Sequence, residues 1–172
     1  MDNFAEQLVK RNLTKSEKTK KSVILTGGII VTVLLTAAAM LMLASPLTAF
    51  AGLVFAAGAG CGTYFYVQNT EVEYEYTFTN GELDIDKIIA KKHRKSLVSI
   101  DIRQFADFGK YIDSPEETDE MTVVIASSNI AEQEYYADFP HEEYGSTRLI
   151  FCPDDRMREN INKFLPRALR TK

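Results

Sequence analysis

The chain has 172 residues, 24 acidic against 20 basic, and a formal net charge of −4. An acidic balance argues against general binding to nucleic acid, because a polyanion is repelled. Two cysteines and two histidines supply neither a disulfide framework nor metal-ligand spacing, so no cofactor is expected.

The average hides three regions. Residues 1–21 carry Lys10, Arg11, Lys15, Lys18, Lys20 and Lys21 against Asp2, Glu6 and Glu17, a net +3. They form a basic leader that reads in two ways. Phe4, Leu8 and Val9 fall on one side of a short amphipathic helix over residues 2–20, suited to a membrane surface. Alternatively, the leader is solvated and only fixes topology.

Residues 22–67 contain no Asp, Glu, Lys, Arg or His, and Ser45-Pro46 breaks the run. The halves, 22–44 and 47–67, are about 20 residues each, roughly 30–35 Å of helix and enough for a bilayer core. Two transmembrane helices joined by a tight turn are expected. Lysines crowd the first helix and none stands in the turn, so the positive-inside rule sets both termini in the cytoplasm and the chain in the cell membrane.

Three alternatives compete. Ala49-Phe50-Ala51 resembles a signal-peptide cleavage site, but the polar lead and the apolar run are too long for a signal sequence. A lipoprotein site at Cys61 lacks the preceding Leu-like residue, Gly58 standing there instead. In the third, one helix is re-entrant. The second helix carries small residues that let backbones approach in lipid: Gly52, Ala56 and Gly60 at spacing four, and Gly58 with Gly62. They serve either packing on the first helix, against residues 37–39, or a homodimer face.

From residue 68 onward 14 basic residues meet 21 acidic ones, in a stretch long enough for one small domain. Val72, Tyr74, Tyr76 and Phe78 alternate with Glu73, Glu75, Thr77 and Thr79, the period of a half-buried strand. Asn80-Gly81 signals a type I′ hairpin. A second strand runs to about Ile89. Lys91, Lys92, His93, Arg94 and Lys95 form a basic tip, and a third strand covers 95–100. Asp101 caps a helical turn over 102–108 that Gly109 ends. Residues 113–120 are an acidic loop. Strands follow at 121–126, 134–139 and 147–152, the middle one ending at Pro140. A closing helix starts near Asp154, with Met157, Ile161, Phe164, Leu165 and Leu169 on one face and Pro166 as its kink or end. Cys61 and Cys152 are expected to lie far apart.

This order predicts an α+β protein: a two-helix hairpin over 22–67, then over 68–172 a β-roll or barrel of six or seven strands with one C-terminal helix. Tyr74–Asp86 (YEYTFTNGELDID), the basic tip with Ser96–Ile102, and Asp154–Leu169 carry a resemblance. The chain resembles bacterial pleckstrin-homology-like two-span proteins, most closely a family of small membrane proteins from Gram-positive anaerobes. The resemblance implies a pleckstrin-homology-like fold and no activity. It transfers no binding residue, because the lipid-binding relatives use basic residues in the first hairpin turn, here assigned to Asn80-Gly81.

No catalytic constellation is found. His93 sits among lysines and His141 in a polar turn. Asp113, Glu116, Glu117, Asp119 and Glu120 lack the glycine and spacing of a calcium loop. Gly58-x-Gly60-x-Gly62 lies inside a membrane helix, not in a phosphate-binding turn. The functional candidates are therefore Lys87, Lys91, Lys92, Arg94 and Lys95 as contacts to lipid headgroups, at about 1 kcal/mol per well-placed cation. Against this stands a plainer reading, a charged tip that blocks edge aggregation. The function expected is a membrane-anchored binding or scaffolding module, integral in the bilayer and engaging a protein partner. An anionic-lipid sensor is the alternative.

Overall fold

A computed structural model describes residues 3–41, 45–118 and 120–170. The expected end of the first span at residue 44, and Asp119 of the acidic loop, lie outside them. The chain divides into two units, Leu13–Glu71 and the segments flanking it on both sides.

The first unit is a helical hairpin, α1 (Lys15–Leu41) and α2 (Pro46–Asn69). Each is long and apolar enough to cross a bilayer, with mean hydropathy reaching 2.3 and 1.4. Helix α1 begins about two turns before the apolar run, because Thr14 and Glu17 form a capping box. The Thr14 N–H donates to Glu17 Oε2 at 2.8 Å and the Glu17 N–H to Thr14 Oγ1 at 3.3 Å. Proline at the first position starts α2. Among the described residues of this unit the buried ones are Ala39, Ala49 and Ala56. Thr32, Thr36 and Thr63 donate back to carbonyls four residues earlier.

Among its described residues the second unit holds eight strands in two four-stranded sheets. The first sheet is antiparallel, in the order β1 (Phe4–Lys10), β2 (Val72–Thr79), β3 (Glu82–Ile89), β4 (His93–Asp101). The second contains β5 (Asp107–Lys110), β6 (Thr122–Ala126), β7 (Tyr135–His141) and β8 (Gly145–Phe151), ordered β5-β7-β8-β6 with β6 parallel to β8. Helix α3 (Asp155–Phe164) completes the α+β architecture. Asp154 caps it, its Oδ1 accepting from the Met157 N–H at 2.7 Å.

Strand β1 corrects the reading of residues 2–20 as an amphipathic helix or solvated leader. Phe4–Lys10 pairs along its whole length with β2, from Phe4 opposite Thr79 to Lys10 opposite Glu73. Ala5 and Val9 enter the core while Phe4 and Leu8 stay exposed. The unit thus reaches beyond 68–172 and takes its first strand from ahead of the helices.

Three smaller differences follow. Asp101 does cap a turn, at Ile102–Gln104, but residues 107–110 then extend as β5 because they pair with Tyr135–Asp138 of β7. Strand β7 runs through Pro140, beyond the reach of β5, where a missing N–H is tolerated. Helix α3 stops at Phe164, since Leu165 before Pro166 takes an extended backbone.

The core is continuous between sheets and helix: Tyr76, Phe78, Leu83, Ile85, Ile102, Leu149, Phe151, Met157 and Ile161 are all buried. The Tyr76 hydroxyl donates to the Ala126 carbonyl and accepts from the Cys152 N–H, tying one sheet to the other.

Candidate functional site: a basic hairpin tip

Strands β3 and β4 make the tip. Ile89 pairs with His93, and the Lys92 N–H donates to the Ile89 carbonyl at 3.1 Å. The two central residues, Ala90 and Lys91, have φ of 53° and 56°, the type I′ pattern. Below the turn Ile88 faces Arg94 and Lys87 faces Lys95. A bulge opposite Ile85/Asp86 leaves Leu97 unpaired and re-aims this end of the hairpin.

The five predicted cations are not equivalent. Arg94 is held on the sheet by Glu75 and, at 3.4 Å, by Asp86. Lys91, Lys92 and Lys95 are exposed and Lys87 is half-buried. Among the described residues these four lysines pair with no carboxylate. Lys87 and Lys95 stand directly opposite each other, a like-charge pair that opposes the hairpin.

Register fixes where the tip lies in its sheet. Val72, the first residue of β2, pairs with Ile89, the last before the turn. Lys10, the last of β1, pairs with Glu73, and the Arg11 N–H donates to the Val72 carbonyl at 3.0 Å. The tip therefore shares one end of the sheet with the two points where the chain departs to and returns from the helices. The Asn80-Gly81 turn occupies the opposite end. It is the second hairpin connection of the sheet, not the first, because the helical hairpin itself connects β1 to β2. A Cβ on Gly81 would stand 2.7 Å from the Phe164 ring, and its φ of 105° suits glycine.

The small residues of α2 separate into two sets. A Cβ on Gly52 would lie 2.8 Å from the Ala39 Cβ, and one on Gly60 would lie 3.7 Å from Thr32 Cγ2. Ala56 is buried. Gly58 and Gly62 meet open space. Sequence inspection missed Gly28 of α1, whose added Cβ would clash with Thr63 Cβ at 2.8 Å.

It also missed a buried ionic centre. The Arg148 side chain, 1% exposed, donates Nε and Nη2 to Asp138 at 2.7 and 2.6 Å, and Nη1 to the Pro115 carbonyl at 2.6 Å. Its hydrogen bonds to Asp138 raise its pKa above the ordinary arginine range. The guanidinium lies over the Tyr136 ring at 5.1 Å. Burial, aided by a 2.8 Å hydrogen bond to Asp107, pushes the Tyr136 phenol up to about 12. Arg148 anchors one end of the acidic loop, and alternation alone would have assigned it outward.

Open cavities flank α3. One of about 500 Å³ is lined by Gln7, Lys110, Tyr135 and Arg158, and an adjoining one of about 570 Å³ by Phe108, Asn162 and Leu169. Their linings mix cations with carboxylates. His141 Nδ1 accepts from the backbone N–H groups of Glu143 and Tyr144, closing its own turn. Among the described residues no three His, Cys, Asp or Glu are grouped to hold a metal ion.

Compared with known proteins, residues 1–171 match the family model described as Bacterial PH-like domain (DUF6106). Curated proteins give no match, and solved structures give none.

Proposed function

Because the chain belongs to the bacterial PH-like domain family, we propose that it is a membrane-anchored binding or scaffolding module. Its α1–α2 hairpin spans the cell membrane twice, and its β unit stands at the cytoplasmic face to engage a protein partner. The proposal is of binding rather than catalysis, since this fold hosts many recognition roles.

The pairing of β1 with β2 carries this reading. The two strands flank the helices, which supports a chain that leaves and returns on one side of the bilayer. An odd number of crossings would separate Ala5 and Val9 from the core they help to fill. Cleavage after Ala51 would remove that strand altogether. Lys15, Lys18, Lys20 and Lys21 support the cytoplasmic side. The connections are short, Arg11–Thr14 and Thr70–Glu71, and at full extension reach about 14 Å and 7 Å. Such links support a domain held close to the headgroups.

A second reading, contact with anionic lipid through the tip at Lys87–Lys95, is favoured by the register that sets this tip at the tethered end. Topology is tested with Glu116→Cys and Glu6→Cys in intact cells. An impermeant thiol reagent is expected to label both only after lysis, and labelling of either from outside overturns the cytoplasmic assignment. Affinity capture of the intact protein in detergent tests the binding role and reports self-association, including a dimer through Gly58 and Gly62.

A further inference from the structure

The first sheet contains two turns of the same type, built from different residues. At the far end Asn80 and Gly81, with φ of 52° and 105°, are the residues this turn prefers. At the tethered end Ala90 and Lys91 take φ of 53° and 56°, and neither is favoured there. An alanine gains nothing in the left-handed region, and a lysine can make no local side-chain bond to the backbone as asparagine does. Beneath them Lys87 opposes Lys95. Both features weaken the hairpin. Both put positive charge at the extremity nearest the helices' attachment.

We propose that the β3–β4 turn is an electrostatic foot. Lys91, with Lys92, Lys87 and Lys95, rests on the phosphates of an anionic bilayer, and the strained turn is retained because it carries a cation at its apex. Arg94 is not part of the foot, since Glu75 and Asp86 hold it on the sheet. This rests on the second reading above and makes it specific. Charge decides whether the foot docks, at about fivefold in the docking equilibrium per lysine. The partner is the bilayer, and a free phosphate monoester is the competing source of the same chemistry.

The test uses the full chain in nanodiscs of phosphatidylcholine, with or without phosphatidylglycerol, and follows acylation of the Lys92 amine by mass spectrometry. Lys92 should be protected in the anionic discs and reactive in the neutral ones. Replacing the turn by Ala90→Asn with Lys91→Gly should raise the denaturation midpoint of the β unit while weakening docking about fivefold. Equal reactivity in both discs overturns the foot and the lipid reading together. A variant that keeps full protection, or is no more stable than the parent, overturns the foot alone. In that case Lys87→Ala, Lys92→Ala and Lys95→Ala, followed by amide exchange at residues 88–96, report whether the broader lipid reading survives. Protection in neutral discs by added glycerol phosphate, equal to that of the anionic discs, assigns the lysines to a soluble anion and overturns the proposal.

Discussion

Among the described residues of the helical hairpin the buried ones are three alanines, Ala39, Ala49 and Ala56, while in the β unit they include Tyr76, Phe78, Phe151 and Arg148. The contrast follows from the surroundings each is suited to. Lipid tails are as apolar as leucine, so two helices gain little by hiding large side chains and more by bringing backbones together. Water drives large side chains inward, and a β unit with so little chain must also satisfy most of the polar groups it buries. Added volume should therefore hurt the hairpin, whereas lost volume or a lost hydrogen bond should hurt the β unit.

The largest effect tests the one strand that lies ahead of the hairpin but belongs to the β unit. Deleting residues 1–12 should abolish cooperative unfolding of the β unit, followed by far-ultraviolet circular dichroism. Ala5→Asp with Val9→Asp should do the same in the full chain. Conversely, a two-residue turn in place of residues 13–71 should yield a folded soluble unit, because Arg11 and Val72 are already hydrogen-bonded neighbours. A dispersed amide spectrum from the chain lacking residues 1–12 would break the comparison.

Next comes the buried ion pair. Arg148→Leu leaves Asp138 without its partner and should cost about 3–5 kcal/mol in denaturant unfolding. Asp138→Leu added to it should restore much of the loss, because two matched apolar groups bury no uncompensated charge.

In the hairpin the effect of added volume depends on position. Gly28→Val and Gly52→Val force backbones apart and should destabilise by about 1–3 kcal/mol. Gly58→Val and Gly62→Val, facing open space, should leave the hairpin's stability in detergent unchanged. A loss at Gly58 or Gly62 that depends on protein concentration would point to a dimer face.

Tyr76→Phe is smaller, about 1–3 kcal/mol, from the stranded Ala126 carbonyl and Cys152 N–H. The same tyrosines set an alkaline limit. Burial raises the phenols of Tyr76 and Tyr136, the latter to about 12. Folding therefore holds their protons more tightly than the unfolded chain does. For Tyr136 that stability is complete below the unfolded value near 10 and is lost as the pH climbs through about 12. Tyr136→Phe should flatten part of the fall in a stability–pH profile, and an unchanged slope would remove Tyr136 from the account.

Much of this was legible from local pattern. Alternation over Val72–Phe78, the Asn80-Gly81 turn, the Asp101 and Asp154 caps and the uncharged run depend on near neighbours only, so a linear reading finds them. The basic tip was visible as composition, but its position at the tethered end came from the pairing of Val72 with Ile89. Strand β1 was misread because both its faces carry apolar residues, and Phe4 with Leu8 imitates helical spacing.

The amino-acid order by itself determined that there would be two apolar helices, a hairpin-led run of strands and a closing helix. Each of these follows from side-chain period and from residues that suit turns and caps. Only the tertiary structure decided that Phe4–Lys10 completes the sheet across the intervening helices. It alone made Arg148 a core residue and separated Arg94 from the free lysines. Those outcomes depend on partners far away in the chain, and long-range pairing is chosen by the burial and hydrogen bonding of the whole unit, not by any single stretch.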